Sequence, residues 1–325
     1  MKKLLIALLT LLMLAQSTAL AKITFTDNAY VGYVREEMKI SLYYDGKNRG
    51  KTVEIRDENG LVLGSRELNS SKGYRNVSIS MPASLTPGTQ LSLYWQGENT
   101  PLDSALLAVE TRPGYAITRV DRTDKKVAIT FDAANGAAKT KKILDVLDKY
   151  GAKCTFFVIG LYAENHPELV REMEDRGHEL AGHGWNHPEM PDLTNDEILK
   201  DFDKVSQAFV KTLGHDVNLY RPPSGHSTRR DRAIARALGQ EVIQWTVDSR
   251  DGFEGVSYDT VVNRIKRNAA SGDIVLMHVY GEHTIDALEE ILPWYVQQGY
   301  ECVTVSDLLL KGDTLIDENG VQHSK

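Results

Sequence analysis

The segment VAITFDAANGAAKTKKILDVLDKYGAKCTFFVI, residues 127–159, determines the architecture of the larger part of the chain. The apolar run before Asp132 predicts a buried strand that ends at this carboxylate. Residues 140–150 have the apolar spacing of an amphipathic helix, and residues 154–159 predict a second buried strand. These elements form a βαβ unit. Ligands bind such units at the carboxyl ends of parallel strands, so Asp132 is a candidate functional residue; the alternative is that it only caps the following turn.

Helices and strands continue to alternate after this unit. The predicted helices cover residues 167–176, 193–213, 229–238, 258–270 and 284–298. The predicted strands cover residues 178–180, 241–247, 273–278 and 301–305. Thr194, followed by Glu197, has the capping-box pattern that begins a helix. Repeated alternation of this kind indicates an α/β fold with a parallel sheet or a (β/α) barrel.

Residues 22–114 have a different pattern, in which apolar and polar residues alternate with the period of two that is typical of strands. The predicted strands are Ile23–Phe25, Met38–Tyr44, Val53–Ile55, Leu61–Leu63, Val77–Met81, Leu91–Trp95 and Ala105–Val109. Turn residues separate them, which predicts a small all-β sandwich of the immunoglobulin or fibronectin type. A spacer is the favoured role. The alternative is a carbohydrate-binding module, with candidate stacking residues Tyr43, Tyr44, Tyr74, Tyr94 and Trp95.

The first residues have the pattern of a secretory signal. Lys2 and Lys3 precede the short apolar segment 4–14, and Ala-Leu-Ala at 19–21 matches a signal-peptidase site. The sequence therefore predicts a signal peptide at residues 1–21 and export to the periplasm, the cell wall or the medium, with no stable membrane insertion after cleavage. An uncleaved N-terminal anchor is the alternative. Residues 311–325 are predicted to form a polar tail.

Charge and cysteine content exclude some classes of partner and site. The formal net charge is −7 and no basic block is present, so no nucleic acid is expected as a partner. Cys154 and Cys302 each lie in an apolar, strand-like run and have no metal-ligand spacing. Two buried free thiols are favoured, and a disulfide between them is the alternative that export permits.

Polar residues cluster where the predicted strands end. His183 and His187 are four residues apart, so one helical turn would direct both imidazoles towards one cation; two surface histidines are the alternative. Arg221 precedes the stiff sequence Pro-Pro-Ser-Gly, from which its guanidinium can bind a carboxylate in a two-pronged contact. Asp251 follows one further strand, and His278 ends another.

These motifs follow one another along the chain in the order Thr-Phe-Asp, His-x-x-x-His-Pro, Arg-Pro-Pro-x-Gly, Asp-x-x-Asp and Leu-x-His. In this order the chain resembles the polysaccharide deacetylase family, the NodB-homology carbohydrate esterases. The resemblance covers residues 115–310. It implies a distorted (β/α) barrel with a divalent metal at the strand ends, zinc being favoured and cobalt or nickel the alternatives. It also implies removal of N-acetyl groups from amino sugars, so the expected partner is an N-acetylated polysaccharide such as peptidoglycan, a chitin-like glycan or an exopolysaccharide.

Carried over by position, the resemblance implies a role for each motif residue. Asp132 would be the general base that Arg221 orients, and His278 the general acid that Asp251 tunes. The remaining implied roles are His183 and His187 as metal ligands, the backbone N–H of Ser224 in an oxyanion hole, and Leu276 as the contact for the acetyl methyl group.

Two positions depart from the family pattern. Ala133 stands where the family has a second aspartate, the third metal ligand, so the metal would be held by the two histidines and water, with Asp132 or Asn135 assisting. Weaker metal binding, a different metal or lost activity would follow. Gly252 stands where an aromatic residue often follows Asp251, which would leave the groove more open.

The sequence therefore predicts an exported, metal-dependent polysaccharide N-deacetylase. The base, acid, arginine and histidine pair favour an enzyme. One alternative is a catalytically impaired relative that binds cell-wall glycan, for which Ala133 is the support. A second is a deacetylase that acts on O-acetyl esters or on an amide outside sugars.

Overall fold

The computed structural model describes residues 23–69, 72–110 and 114–325. These residues form two compact units: the described residues before 111 with Arg236–Gly239, and the described residues 114–235 with Gln240–Lys325. The signal peptide predicted for residues 1–21 lies outside the described residues, and the predicted domain boundaries stay predictions. Within the described ranges, each helix is too short or too polar to span a bilayer.

The described residues of the first unit before residue 111 are all-β, in line with their alternating pattern. Their strands are β1 (Ile23–Phe25), β2 (Ala29–Tyr33), β3 (Glu37–Tyr44), β4 (Thr52–Arg56), β5 (Val62–Glu67), β6 (Gly73–Ser80), β7 (Gly88–Trp95) and β8 (Asp103–Glu110). They form a three-stranded sheet in the order β1-β3-β6 and a five-stranded sheet in the order β2-β8-β7-β4-β5. Buried residues of both sheets share one hydrophobic core. The immunoglobulin-like assignment stays a prediction.

Strand β2 is absent from the predicted strands. It buries Ala29 and Tyr30 in succession and contains Gly32, so it lacks the period of two. It belongs to the sheet because its backbone pairs in parallel with β8. Backbone pairing cannot be recognised from the order of apolar and polar residues along the chain.

The proposed stacking residues of the first unit do not share one surface. Tyr44 and Trp95 are buried in the core, so assigning them to ligand stacking was wrong; large aromatic side chains contribute most by burial. Tyr74 is 72% exposed, and its ring packs edge-on against Tyr43 at a centroid distance of 5.6 Å. The carbohydrate-binding alternative therefore keeps only part of its proposed surface.

The second unit is built on a parallel sheet with β10 (Lys126–Ala133) in its interior. The other strands of this sheet are β11 (Thr155–Val158), β12 (Glu179–Gly182), β13 (Leu219–Tyr220), β14 (Glu241–Val242), β15 (Val247–Asp248), β16 (Ile274–His278) and β17 (Glu301–Cys302). Their order is β14-β13-β12-β11-β10-β16-β15, and β17 pairs with the start of β10. Strands β14 and β15 end this ladder, so the described strands form an incomplete, barrel-like α/β sheet.

Helices connect these strands. They are α1 (Ala137–Lys149), α2 (Gly160–Asn165), α3 (Pro167–Asp175), α4 (Asn195–Leu213), α5 (Arg229–Ala237), α6 (Tyr258–Asn268), α7 (Thr284–Gln297) and α8 (Val305–Leu308). Helix α1 buries Ile143, Leu144 and Leu147 against the sheet, as its apolar spacing predicts. The capping box of α4 is confirmed, because Thr194 and Glu197 exchange side-chain to backbone hydrogen bonds.

Several short elements differ from the predicted ones. The strand predicted at 241–247 is two strands, β14 and β15, because the chain leaves the ladder after Val242 and rejoins it at Val247. Strand β13 and helix α2 were not predicted, since elements of two to six residues are too short to show a period. Both cysteines are free thiols, as favoured, with Cys154 buried and Cys302 partly buried.

The segment predicted as a polar tail, residues 311–325, contains regular secondary structure. Strands β18 (Thr314–Ile316) and β19 (Val321–Ser324) form a hairpin, and β19 pairs in parallel with the short strand β9 (Arg119–Val120). The carboxylate of Asp317 stabilises the turn by accepting hydrogen bonds from the backbone N–H groups of Asn319 and Val321. Backbone pairing holds this polar segment, which hydrophobicity does not reveal.

Candidate active site

Asp132 lies at the carboxyl end of β10, where the sequence placed it. Its neighbours in the ladder are His278 on β16 and Phe157 on β11. Only 7% of Asp132 is exposed, and its carboxylate accepts a hydrogen bond of 2.8 Å from Arg221. Burial raises the pKa of this carboxyl, but His183, Arg221 and His278 outweigh burial and lower the pKa below its ordinary value. Asp132 is therefore an ionised carboxylate held in a fixed position.

Arg221 follows β13 and is completely buried. Its Nη1 donates to Asp132, and its Nη2 donates to the backbone carbonyl of Gln244 at 3.2 Å. The prediction that Arg221 binds a carboxylate through both guanidinium nitrogens was therefore wrong, because Nη2 donates to a backbone carbonyl instead. The guanidinium lies 3.8 Å from the ring centroid of Phe157, which fixes its plane.

The histidine pair lies in a loop after β12. The loop is not helical: Gly184 and His187 have positive φ angles of 73° and 61°. The rings of His183 and His187 nevertheless approach to a centroid distance of 5.1 Å at an interplanar angle of 77°. The expectation that the two imidazoles are neighbours is therefore met by a different backbone geometry.

His183 is oriented for use as a ligand or an acceptor. It is 1% exposed, and its Nδ1 lies 2.8 Å from the backbone carbonyl of Arg221. An Nδ1–H donor to this carbonyl leaves Nε2 as the free acceptor, directed at the Asp132 carboxylate 3.4 Å away. Burial lowers the pKa of His183 against the opposing effect of Asp132, so the neutral imidazole is favoured.

The side chains around His183 supply two imidazoles but not a complete set of metal ligands. Ala133, fully buried, offers no donor atom at the position of the expected third ligand. The remaining carboxylate, Asp132, is already bound by Arg221. Among the residues that the structure describes, no group of three or more His, Cys, Asp or Glu side chains is placed to hold a metal. The residues present therefore do not fit a site with three protein ligands.

A second carboxylate, Asp251, holds His278. The Nδ1 of His278 donates to Oδ1 of Asp251 at 2.9 Å, and the His278 backbone N–H donates to Oδ2 at 2.9 Å. Burial lowers the pKa of His278, but the hydrogen bond and charge of Asp251 and the charge of Asp132 outweigh burial and raise it. The Nε2 atom is thus the imidazole position left to transfer a proton.

Two hydroxyl groups that the sequence did not indicate complete the surroundings of Asp251. Ser249 donates to Oδ1 at 2.8 Å, and Thr284 donates to Oδ2 at 2.6 Å. Ser249 lies two residues before Asp251, a spacing typical of local side-chain bonds that offered a weak signal. Thr284 begins helix α7, far along the chain, and only the fold brings it to the carboxylate.

Gly252 packs directly against the acid residue. A Cβ atom at this position would lie 2.8 Å from Nδ1 of His278. The glycine therefore makes room for the imidazole, and the expectation that Gly252 leaves the groove more open stays a prediction. Tyr280 lies on the other side, with its ring centroid 5.1 Å from that of His278. Sequence reasoning missed Tyr280, although it stands two residues after His278.

The two remaining predicted site residues are less directly connected. Ser224 has a positive φ of 56°, and its hydroxyl donates to Glu189 at 3.1 Å. Leu276 is buried two residues before His278, so both side chains lie on the same face of β16. The structure thus joins Asp132, Arg221, His183 and His278 at one strand edge.

This arrangement suits general acid–base chemistry. Parallel strands place the paired residues Asp132 and His278 about 5 Å apart along the sheet. One group is ionised and accepts protons, while the other has a raised pKa and donates them. Such a pair can deprotonate a water molecule and protonate a leaving group on the same substrate.

Comparisons with known proteins agree with this chemistry. The profile of the polysaccharide deacetylase family matches residues 119–243. A peptidoglycan-N-acetylglucosamine deacetylase of Bacillus cereus is 35% identical over 63% of this chain and 98% of its own length. A peptidoglycan-N-acetylmuramic acid deacetylase of Bacillus subtilis is 34% identical over 58% of this chain and 40% of its own length.

A solved structure adds a contrasting relative. A pseudoenzyme of the CE4 family from Bacillus anthracis has a TM-score of 0.58 and 27% identity, over 67% of this chain and 74% of its own. A mutant of that protein with restored enzymatic activity matches with the same TM-score and 28% identity, over 67% and 77%. The fold is therefore shared by active and inactive relatives.

Proposed function

The chain belongs to the polysaccharide deacetylase family, and from this membership we propose that it removes acetyl groups from the N-acetylated sugars of peptidoglycan. Membership places the chain among the hydrolases that cleave the amide bonds of carbohydrates. Peptidoglycan is the proposed substrate because the relatives named above act on its N-acetylglucosamine or N-acetylmuramic acid. The proposed place of action is outside the cytoplasm, at the cell wall, which the predicted signal peptide supports.

The observation that carries the proposal is the pairing of Asp132 with His278 on adjacent strands. Asp132, kept ionised by Arg221, accepts a proton from the attacking water. The water oxygen bonds to the acetamide carbon, and the carbon–nitrogen bond breaks. His278, kept protonated by Asp251, donates its proton to the departing nitrogen. The products are acetate and a free amino sugar.

The other predicted residues have supporting roles in this proposal. The backbone N–H of Ser224 would stabilise the developing oxyanion, and Leu276 would contact the acetyl methyl group. His183 and His187 are the residues that a metal would contact first. The zinc, cobalt or nickel implied by the resemblance stays a prediction, because the described residues lack the third ligand.

Acetate release tests the activity. We expect purified protein to release acetate from peptidoglycan, and we expect Asp132→Asn and His278→Ala each to lower the rate by at least about a hundredfold. Chitin oligomers, poly-N-acetylglucosamine and acetyl-xylan distinguish amide from ester substrates. Absence of acetate from all four substrates would contradict the activity, and a faster reaction on acetyl-xylan would favour O-acetyl esters.

A second candidate function is a glycan-binding relative with impaired catalysis. Ala133 favours it, since the buried position of the expected third ligand carries only a methyl group. Similarity to the pseudoenzyme of Bacillus anthracis also supports it. This candidate predicts affinity for peptidoglycan without turnover.

Metal content and acetate release, measured on the same samples, separate the two candidates. We expect Ala133→Asp to bind more zinc than the wild type, because a carboxylate completes a three-ligand set with the two histidines. Ala134→Asp, with its carboxylate one position along, is the matched control. Activity in the wild type supports the deacetylase. A wild type that releases no acetate, together with an Ala133→Asp variant that does, supports the glycan-binding relative with impaired catalysis.

A further inference from the structure

A cavity of about 360 Å³ lies on the surface of the second unit beside the histidine loop. Its walls come from α2, α3 and α4, and from Trp185, the residue midway between His183 and His187. None of the roles assigned above uses this cavity. Because Trp185 belongs to the loop that carries both histidines, a molecule in the cavity would contact that loop directly.

The cavity is positively charged although the chain as a whole is acidic. Arg171, Lys204 and Lys211 line it, against the single carboxylate of Glu164. The formal charge of the whole chain is −7, so this concentration of cations is local. Among the described residues, these three cations have no carboxylate within ion-pair distance. A concave surface with an excess of cations favours an anionic ligand.

Trp185 gives the cavity a rigid aromatic wall. Its backbone N–H donates to both oxygens of the buried Asp201, at 3.0 and 3.1 Å. Its ring packs on Gly160, where a Cβ atom would come within 2.5 Å of the indole. Nζ of Lys204 lies 5.8 Å from the ring centroid. A fixed, partly exposed indole beside cations suits a sugar ring that carries a negative group.

We infer that this cavity binds an anionic sugar of the wall glycan, through a carboxylate or phosphate on Arg171, Lys204 and Lys211 and a ring stacked on Trp185. The inference rests on the proposed function for the identity of the ligand as wall glycan. N-acetylmuramic acid carries such a carboxylate on its lactyl group wherever no stem peptide is attached to that group, and a polymer of sugar phosphates carries the alternative anion. Occupancy of the cavity would fix the glycan chain beside the histidine loop and so select anionic over neutral polymers.

Binding, rather than turnover, tests the inference. The ligand is a peptide-free tetrasaccharide that contains N-acetylmuramic acid, titrated calorimetrically into the full chain from residue 22. The matched ligand is the same tetrasaccharide with its carboxylates reduced to alcohols. The variant is Lys204→Gln with Lys211→Gln, which removes two charges and keeps two polar side chains, each one atom shorter than lysine. Lys200→Gln, an exposed lysine on the same helix α4 but outside the cavity, is the control.

We expect the double variant to bind the carboxylated tetrasaccharide about tenfold more weakly than the wild type, and the control to bind it normally. We expect the reduced tetrasaccharide to bind both proteins equally. An oligomer of sugar phosphates that loses affinity in the double variant while the tetrasaccharide does not would identify phosphate as the anion. Equal binding of every ligand by wild type and double variant overturns the inference. Absence of acetate release with the expected binding would refute only the proposed activity.

Discussion

Replacing Arg221 by methionine should destabilise the second unit strongly, because it leaves a buried carboxylate without its partner. Arg221 is completely buried and donates to Asp132 at 2.8 Å. Methionine keeps a similar apolar length against Phe157 but removes the charge. Loss of one partner of a buried ion pair costs about 3–5 kcal/mol. At about 2–3 kcal/mol per molar urea, the unfolding midpoint should fall by about 1–2.5 M.

The effect should depend on pH in a defined direction. In the wild type the pKa of Asp132 is lowered, so its contribution to stability is present above the ordinary carboxyl pKa and is lost as pH falls through the lowered value. In Arg221→Met, burial acts with less opposition and raises the pKa of Asp132. The gap in stability between the two proteins should therefore be largest near pH 7 and shrink towards pH 4.

Urea unfolding followed by tryptophan fluorescence measures this gap, since three of the four tryptophans, at 185, 245 and 294, lie in the second unit. Asp132→Asn in the Arg221→Met background should recover about 2 kcal/mol, because the unpaired charge is gone. Arg267→Met, at an exposed arginine, is the control and should change stability by less than about 0.5 kcal/mol. The reasoning would be refuted if the effects of Arg221→Met and Asp132→Asn on the free energy of unfolding were additive. It would also be refuted if the difference in stability between wild type and Arg221→Met did not depend on pH.

The other predictions concern His278 and Asp201. Asp251→Asn should lower the pKa of His278 in an NMR titration, because the charge that raises it is removed; an unchanged pKa would contradict the pairing. Gly252→Ala should displace the imidazole and reduce acetate release with little loss of stability, and wild-type rates would show that the imidazole tolerates the methyl group. Burial raises the pKa of Asp201 to about 6, so the free energy of unfolding falls as pH rises from about 4 to about 6. Asp201→Asn should abolish that fall and raise the free energy of unfolding by up to about 3 kcal/mol at pH 7, measured by urea unfolding.

The parts of the fold that the sequence predicted are those with a long hydrophobic period. Helices α4 and α7 and strands β10 and β16 were found near their observed bounds, because their buried faces are continuous. Strands β13, β14 and β15 have two residues each, and pairing with their neighbours defines them. A strand this short, defined by pairing with its neighbour, has no recognisable hydrophobic period in its own sequence.

The site was predictable in composition but not in geometry. Motif order named Asp132, Arg221 and His278, and parallel strands brought them together. The direction of the second guanidinium nitrogen and the donation of Thr284 to Asp251 depend on side-chain packing between distant segments. The closeness of Gly252 to His278 likewise depends on contacts that spacing along the chain does not encode.

The pairing of β19 with β9 has a consequence for the order in which the chain can fold. Strand β9 emerges from the ribosome just before β10, yet its partner β19 becomes available only after residues 321–324 have been synthesised. Until then, the backbone groups of β9 that pair with β19 have no partner strand. Strands β10, β11 and β12 follow one another along the chain and can pair before then, whereas β16 and β17 must be synthesised before they pair with β10. The pairings of β19, with β9 and with β18, are therefore the last strand pairings of the second unit that synthesis makes available.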